Sequence, residues 1–531
     1  MASRPLSPMT IEAPLANNVA PAGPSVAIIS TETQATNSHQ SISRSRTVFI
    51  ISCITCITGI GSLLGGLLTV CIPVIAKDLR IPQELQLWPA AAFALASGCT
   101  LLPCGAAADV LGCRRAVLFG ALLQVASTVG AGLANTSTQL IALRSVAGLA
   151  ASFCLPGAVG TVAHCFPLSG SPRRRSTAFA AMGGGQAVGF GLGLVLGGVC
   201  ADTIGWRWGF YGAAIVNCIV LALAFWALPH SADGGPLGRA AFARFLADVD
   251  WVGALLISTS LALLSYELSV ATALDAAQTM RTPQNIILLC TAVTLLPISS
   301  LWMHRQTRLG RPALIPNALW KNVPFTAVCV TVFLLWASLN ASEQFTALYL
   351  EDVLDKSALT ASLYFLPAPI GGAIMNAATA SLLPRMRPSL AVPAACLVSS
   401  VATLLLAILC RVDGPGYWQV MFQAMLLNPL GMDMVYTIAN LVVTEAFPAK
   451  TQALAGGIFN MLAQIGQSFG VATTAVIARH VTAKVNGGSP QEALLQGYKA
   501  GWWYNCALVL ASVAVTHWGL KGVGRLGVKR D

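Results

Sequence analysis

The sequence predicts an all-α polytopic membrane protein: two six-helix bundles plus an inserted helix pair, fourteen transmembrane helices in all. Three observations predict it. Apolar residues make up 55% of the 531-residue chain and charged residues only 10%, against about 25% charged in a soluble globular domain. The apolar residues come in repeated blocks that reach the roughly 20 residues a helix needs to cross a bilayer. Basic residues are scattered singly and in pairs between those blocks, so the net charge of +11 reflects membrane topology, not nucleic-acid binding.

Residues 1–46 are rich in Ser, Thr, Pro and Asn and read as a disordered cytoplasmic leader, with no cleaved secretory signal expected. Residues 47–228 form the expected N-terminal six-helix bundle. Its spans are Val48–Ile75, Leu87–Ala108, Arg115–Leu133, Leu140–Phe166, Thr177–Ala201 and Gly209–Leu228. Residues 229–250, rich in Gly, Pro and charge, form a cytoplasmic loop. Residues 251–322 hold the inserted pair, Trp251–Val270 and Asn285–Met303, and the loop after it. Residues 323–520 form the C-terminal bundle, with spans Val323–Leu350, Ala358–Leu383, Leu390–Cys410, Gln419–Thr444, Ala453–Ile477 and Ala500–Leu520. Residues 521–531 are a cytoplasmic tail.

With both termini in the cytoplasm, that side holds 21 of the 31 Lys and Arg residues, the other side holds nine, and Arg144 lies within a span. This bias sets the orientation. Sequons at Asn135 and Asn340 then fall on the outer side, close to the bilayer. The 15 cysteines follow no metal or disulfide spacing. Most lie inside apolar runs, where cysteine behaves as a small hydrophobe. Cys53 and Cys56 match C-x-x-C in form, without the structural context of a redox or metal site.

The stretch GAAADVLGCRR, Gly105 to Arg115, joins spans two and three on the cytoplasmic side. Gly105, Asp109, Gly112 and Arg114 resemble the loop signature G-x-x-x-D-R-x-G-R-R/K of the major facilitator superfamily, with Val110 and Cys113 where that family has basic residues. The resemblance implies a conformational latch; the residues alone also fit a topogenic turn. Arg144, four residues before Gly148, resembles the R-x-x-x-G pattern of the family's fourth span, which implies a role in proton transfer. A mid-span arginine costs about 2.5–3.5 kcal/mol to insert, so it faces a cavity or partner, or snorkels to the nearby interface.

Gly185, Gly189, Gly193 and Gly197 recur every four residues in span five and form a smooth ridge for helix packing. Gly189, Gly193, Gly197 and Gly198 resemble the antiporter signature G-x-x-x-G-P-x-x-G-G, Leu194 standing where the proline is expected. The segments WRWGFY (Trp206–Tyr211), DWVG (Asp250–Gly253) and RPALIPNALWKN (Arg311–Asn322) resemble the fungal-type, fourteen-span drug:proton antiporter branch of that superfamily. The first is also an expected aromatic belt at the outer interface. The branch usually carries an aspartate in span one; Leu64 occupies that position here.

Asp433, Tyr436, Thr437 and Asn440 share one face of span twelve at i, i+3, i+4 and i+7, just after Pro429, which lacks a backbone donor. Asn460, Gln464 and Gln467 form a second polar face on span thirteen. The pair of faces fits a wet cavity or interhelical hydrogen bonding. An ionisable group near the midplane is functional by default, which makes Asp433 the first proton-coupling candidate, with Arg144 and Glu343 beside it. Glu343 fits either a cavity or the interface, and Glu267 reads as interfacial. No catalytic signature appears, so no enzyme is expected.

The resemblance implies a secondary transporter that exports small organic molecules (a drug, toxin or secondary metabolite) by alternating access, with the proton gradient as energy source and no cofactor. The expected partners are the bilayer, a small organic substrate and protons, with no nucleic acid, and the expected state is a monomer in the plasma or vacuolar membrane. Uptake of a nutrient or organic acid is the rival reading. A non-transporting sensor on the same fold is a third, for which the tail is short.

Overall fold

The structure, a computed structural model, describes residues 44–82, 85–166, 172–229, 243, 245–247, 249–271, 279–382, 387–414, 416–446, 449–485 and 489–521. Most of the leader, of the 229–250 loop and of the tail lies outside the described residues. Helices dominate: α1 (Arg44–Asp78), α2 (Trp88–Leu111), α3 (Cys113–Leu133), α4 (Ser137–Cys165), α5 (Pro172–Asp202) and α6 (Trp206–Ala227) come first. Next come α7 (Trp251–Val270), α8 (Pro283–Arg308) and α9 (Val323–Leu348), then α10a (Ala358–Phe365) and α10b (Pro367–Leu382). The last are α12 (Phe422–Ala446) preceded by α11 (Pro388–Leu409), then α13 (Ala449–Lys484) and α14 (Pro490–Gly519). Among the described residues there is no strand, only an isolated bridge between Arg411 and Gly414.

Twelve helices among the described residues are long and apolar enough to cross a membrane. The others in the series, α12 and α14, have 25 and 30 residues. Helix ends follow local chemistry. Thr136, Asn322, Ser357 and Ser489 accept backbone N–H groups at the starts of α4, α9, α10a and α14, the role of an N-cap. Proline stands in the first turn of α2, α8, α9, α11 and α14, where its missing N–H costs nothing. Gly112 turns the chain from α2 into α3 at φ 102°, a conformation that strongly favours glycine.

Several spans differ from expectation. The first helix starts at Arg44, inside the segment assigned to the leader, because Thr47 and Ile50 are already buried. The tenth span is interrupted: it breaks at Leu366, ahead of Pro367, whose ring and missing N–H weaken the helix there. The ninth continues past Leu348 into a π-helical turn, Tyr349–Val353.

α1 packs along α5 and α6, α4 on α2 and α3, and α3 on α6. In the second half of the chain, α9 packs on α13 and α14, α11 on α12 and α14, and α10b on α12. α7 and α8 pack on each other, with α7 also against α2 and α13. The two halves meet where α2 packs on α13 and where α5 packs on both pieces of the tenth span.

Candidate functional site

The polar face of α12 is built from a short run of hydrogen bonds. Thr437 Oγ1 lies 3.0 Å from Asp433 O, one helical turn back, and 3.3 Å from Asn376 Oδ1 of α10b. The Asn376 side chain also hydrogen-bonds the Asp433 carboxylate. α10b comes so close that Asp433 Oδ2 occupies the place a side chain at Gly372 would need. Glu343 of α9, 7% exposed, lies within electrostatic range of Asp433. Two carboxylates from remote parts of the sequence therefore share one region.

Tyr436 carries the face toward α13, where its hydroxyl donates to Asn460 Oδ1 at 3.0 Å. Its ring lies between Trp336 and Phe459, with centroids 5.5 and 5.2 Å away. Asn460 Nδ2 donates to Gly456 O at 2.9 Å. Gln464 lies against α2 at Gly98, and its Oε1 is buried with no hydrogen-bond partner. Gln467 is half-buried. The side chain of Asn440 lies outside the described residues.

Arg144 stands apart from these carboxylates. Its Nε donates to Pro89 O of α2 at 3.3 Å, its guanidinium lies 4.6 Å from the Phe93 ring centroid, and it is 2% exposed. A backbone acceptor and a cation–π contact offset part of the cost of burying the charge. Gly148 lets α4 approach the α2 backbone at Phe93 and Ser97, which explains the arginine–glycine spacing as packing. Of the loop residues, Asp109 is exposed and Gly105 lies against Pro156. Arg114 is buried and donates to Leu228 O and Phe225 O at the end of α6, both at 3.0 Å. A cation there satisfies carbonyls that a helix C-terminus leaves open.

The glycine ridge of α5 faces α1. A side chain at Gly185 would meet Thr55, and side chains at Gly189, Gly193 and Gly197 would run into Gly59, Leu63 and Leu67. Gly198 faces the other half of the molecule, against Leu359 and Ser362 of α10a. The WRWGFY segment is a joint more than a belt. Trp206 and Phe210 are 3% and 0% exposed, Trp206 Nε1 donates to Asp78 Oδ2 at 3.0 Å, and Arg207 pairs with Asp78. Only Trp208, 56% exposed, fits the interface expected of the segment. Asp250 explains DWVG: its carboxylate accepts from Gly253 N (2.8 Å), Trp302 Nε1 (3.0 Å) and Leu314 N (3.3 Å). One acid thereby ties α7, α8 and the loop after them together.

Four polar groups escaped the sequence reading. Asn376 is the one amide in a span without charged residues, so no strong polar stripe marks it. Gln344 of α9 donates to Thr69 Oγ1 of α1 at 3.0 Å, a bond between the halves. Asp202, at the end of α5, accepts from Ala358 N (3.2 Å) and Leu359 N (2.9 Å) at the start of α10a. Lys77 of α1 pairs with Asp352 at 4.0 Å. The last three contacts tie the halves at one end of the bundle. Glu267 also differs from expectation: it is 2% exposed, and both its carboxylate oxygens are buried without a hydrogen-bond partner.

The family model of the Major Facilitator Superfamily matches residues 48–471, and the chain belongs to that family. It is a membrane transporter, not an enzyme. It is 36% identical to MFS-type transporter 1 of Pyricularia oryzae, over 98% of this chain and 89% of that protein. It is 25% identical to a low affinity ammonium transporter of Saccharomyces cerevisiae, covering 79% and 78% of the two chains. It is 27% identical to the puromycin resistance protein pur8 of Streptomyces alboniger, covering 86% and 88%. The nucleoside transporter NupG shares the fold, with a TM-score of 0.60 at 11% identity over 89% of this chain and 100% of that one.

Proposed function

We propose that this transporter is a proton-coupled exporter of small organic molecules, working by alternating access in the plasma or vacuolar membrane as a monomer with both termini in the cytoplasm. The observation that carries the reading is the pairing of Asp433 and Glu343, two carboxylates from α12 and α9 in one electrostatic neighbourhood. Asn376 and Thr437 hold the first in place, and the Trp336–Tyr436–Phe459 stack lies alongside. Carboxylates beside aromatic faces suit a protonated amine or a proton in turn. Exchange requires that competition.

Alternating access rocks one half of such a transporter against the other around a central site. With the termini in the cytoplasm, the end tied by Asp202, Gln344 and Lys77 faces outward, so this is an outward-closed form. Arg144 serves as a buried cation that biases the field of the first half. Asp109 is the loop residue free to re-engage when the inner face closes. The relative named for puromycin resistance supports export of an organic amine; the one named for ammonium, together with Leu64, supports uptake as the second reading.

The test is flux in sealed vesicles holding the purified protein, with radiolabelled puromycin and methylammonium as probes. Export by exchange predicts accumulation of at least one probe when the interior is acidic, above the passive trapping of amines in protein-free vesicles, and none driven by an acidic exterior. Accumulation driven only by an acidic exterior establishes the uptake reading instead. Flux indifferent to the gradient removes proton coupling.

A further inference from the structure

Glu351 lies inside the clasp that closes one end of the molecule. It occupies the π-helical turn after α9, is 6% exposed, and its Oε1 is buried with no hydrogen-bond partner. Asp352 on its own turn, Lys77 on α1 and Asp202 on α5 stand within electrostatic range of it. So does Cys71 of α1, which also senses Cys200 and Asp202. Tyr498 of α14 and Asp355 face Asp352, and α10a brings no charged side chain to the junction.

The charges do not balance if every acid is ionised. Lys77 already pairs with Asp352, and Asp202 already sits on the start of α10a, where the helix dipole favours an anion. Glu351 has neither a cation of its own nor a hydrogen-bond donor. A buried carboxylate is tolerated only when paired and hydrogen-bonded, whereas a neutral carboxyl fits the site as built. Seven residues earlier, in α9, Gln344 also leaves its Oε1 buried without a donor while its Nε2 bonds Thr69. The seam is thus short of donors at two successive levels.

We propose that Glu351 is a proton-binding residue of the seam between the halves, carrying a proton while that end is closed and releasing it as the end opens. When α1 and α5 part from α10a and the turn, water reaches the carboxyl. The O–H bond breaks, the proton passes to water on that side, and the new carboxylate repels Asp352 and Asp202. Reclosure then waits for a proton from the same side. This site is separate from Asp433 and Glu343, and it acts whichever way the substrate moves.

The test reads opening directly, with no substrate and no gradient. Cys71 and Cys200 are buried behind the clasp, 0% and 4% exposed. The full-length protein is pulsed with a soluble maleimide at about pH 5.5 and about pH 8, and modification of each cysteine is counted by peptide mass spectrometry. Taking the ratio to the Glu351→Gln variant at each pH cancels the titration of the Cys200 thiol, which Glu351 does not reach. Cys200 is expected to react about tenfold faster in the natural protein than in the variant at the higher pH, and about equally at the lower. Equal rates at both values, or faster reaction in the variant, overturn the proposal. Should Glu351→Gln fail to fold, Glu351→Met, an apolar side chain of similar length, poses the same question with the same outcomes. Gradient-indifferent flux with pH-dependent labelling would remove proton-coupled export and leave Glu351 in place; the reverse pattern would remove Glu351 alone.

Discussion

The seam between α1 and α5 and the polar face of α12 solve opposite problems with the same kind of helix. Along the first, glycines at 185, 189, 193 and 197 bring two backbones together with no room for a methyl group. Among the described residues, the charged side chains of these two helices stand only at their ends, Asp202 and Lys77 among them. Along the second, Asp433, Tyr436 and Thr437 reach other helices through single hydrogen bonds. Backbone packing holds one shape, since close-packed interfaces do not deform continuously. Single polar bonds can be exchanged for water, a proton or a cargo. Under the proposed function, the difference separates the part of the transporter that moves as a body from the part that senses what is bound.

The largest effect expected is on the rigid side. Gly193→Leu drives a side chain into the α1 backbone at Leu63, a clash costing about 3 kcal/mol or more. Size-exclusion chromatography should find little or no monodisperse protein. Gly65→Ala on α1 is the control, because a methyl there meets nothing within 4 Å. It should match the natural protein within about 0.5 kcal/mol. Similar yields for both variants would dissolve the contrast between the two regions.

Next comes the responsive side. Asp433→Asn keeps the side-chain shape and can still bond Asn376, but cannot titrate. Its thermal midpoint should stay within about 2 °C, while gradient-driven flux falls by about tenfold or more. Full gradient-driven flux would pass the role to Glu343. A smaller effect is expected at the inserted pair. Gly253→Ala pushes a methyl against the Asp250 carboxylate, which otherwise accepts from Gly253, Trp302 and Leu314. Disturbing those bonds costs about 1–3 kcal/mol, visible as a lower midpoint. Flux per folded molecule should be unchanged, because neither carboxylate of the candidate site is touched.

The same contrast explains what could be read from the sequence. A glycine every fourth residue is a local pattern, and helical geometry alone puts such residues on one face. Span-length apolar blocks are local too, so the order of helices is readable without tertiary structure. Asn376 and Glu351 are different. Neither can be interpreted from its own helix, and the meaning of each comes from helices far away in the chain: α12 for Asn376, α1 and α5 for Glu351. Trp206 shows a third case. Aromatics at a span end usually mark the interface, but Asp78 accepts a hydrogen bond from the Trp206 indole, which a belt reading does not anticipate.

The smallest effect is the most informative about the polar face, and it concerns the Tyr436 hydroxyl. That hydroxyl donates to Asn460 Oδ1 at 3.0 Å, while the ring keeps its contacts with Trp336 and Phe459. Tyr436→Phe removes the donor and nothing else of the shape. If the bond only glues α12 to α13, its loss costs about 0.6 kcal/mol, the average for such pairs inside membranes. The midpoint then falls by a degree or two, and apparent affinity and turnover stay as they were. If the bond also orients Asn460 toward a bound cargo, the same small loss of stability comes with a changed apparent KM, because the freed amide can rotate. Asn460→Asp distinguishes the two further, since it places a carboxylate where Tyr436 can still donate. We expect Tyr436→Phe to lower the midpoint slightly and to raise the KM for a transported amine about threefold, with the maximal rate held within about twofold. An unchanged KM would make this bond part of the frame, and would confine the responsive region to Asp433, Asn376 and Glu343.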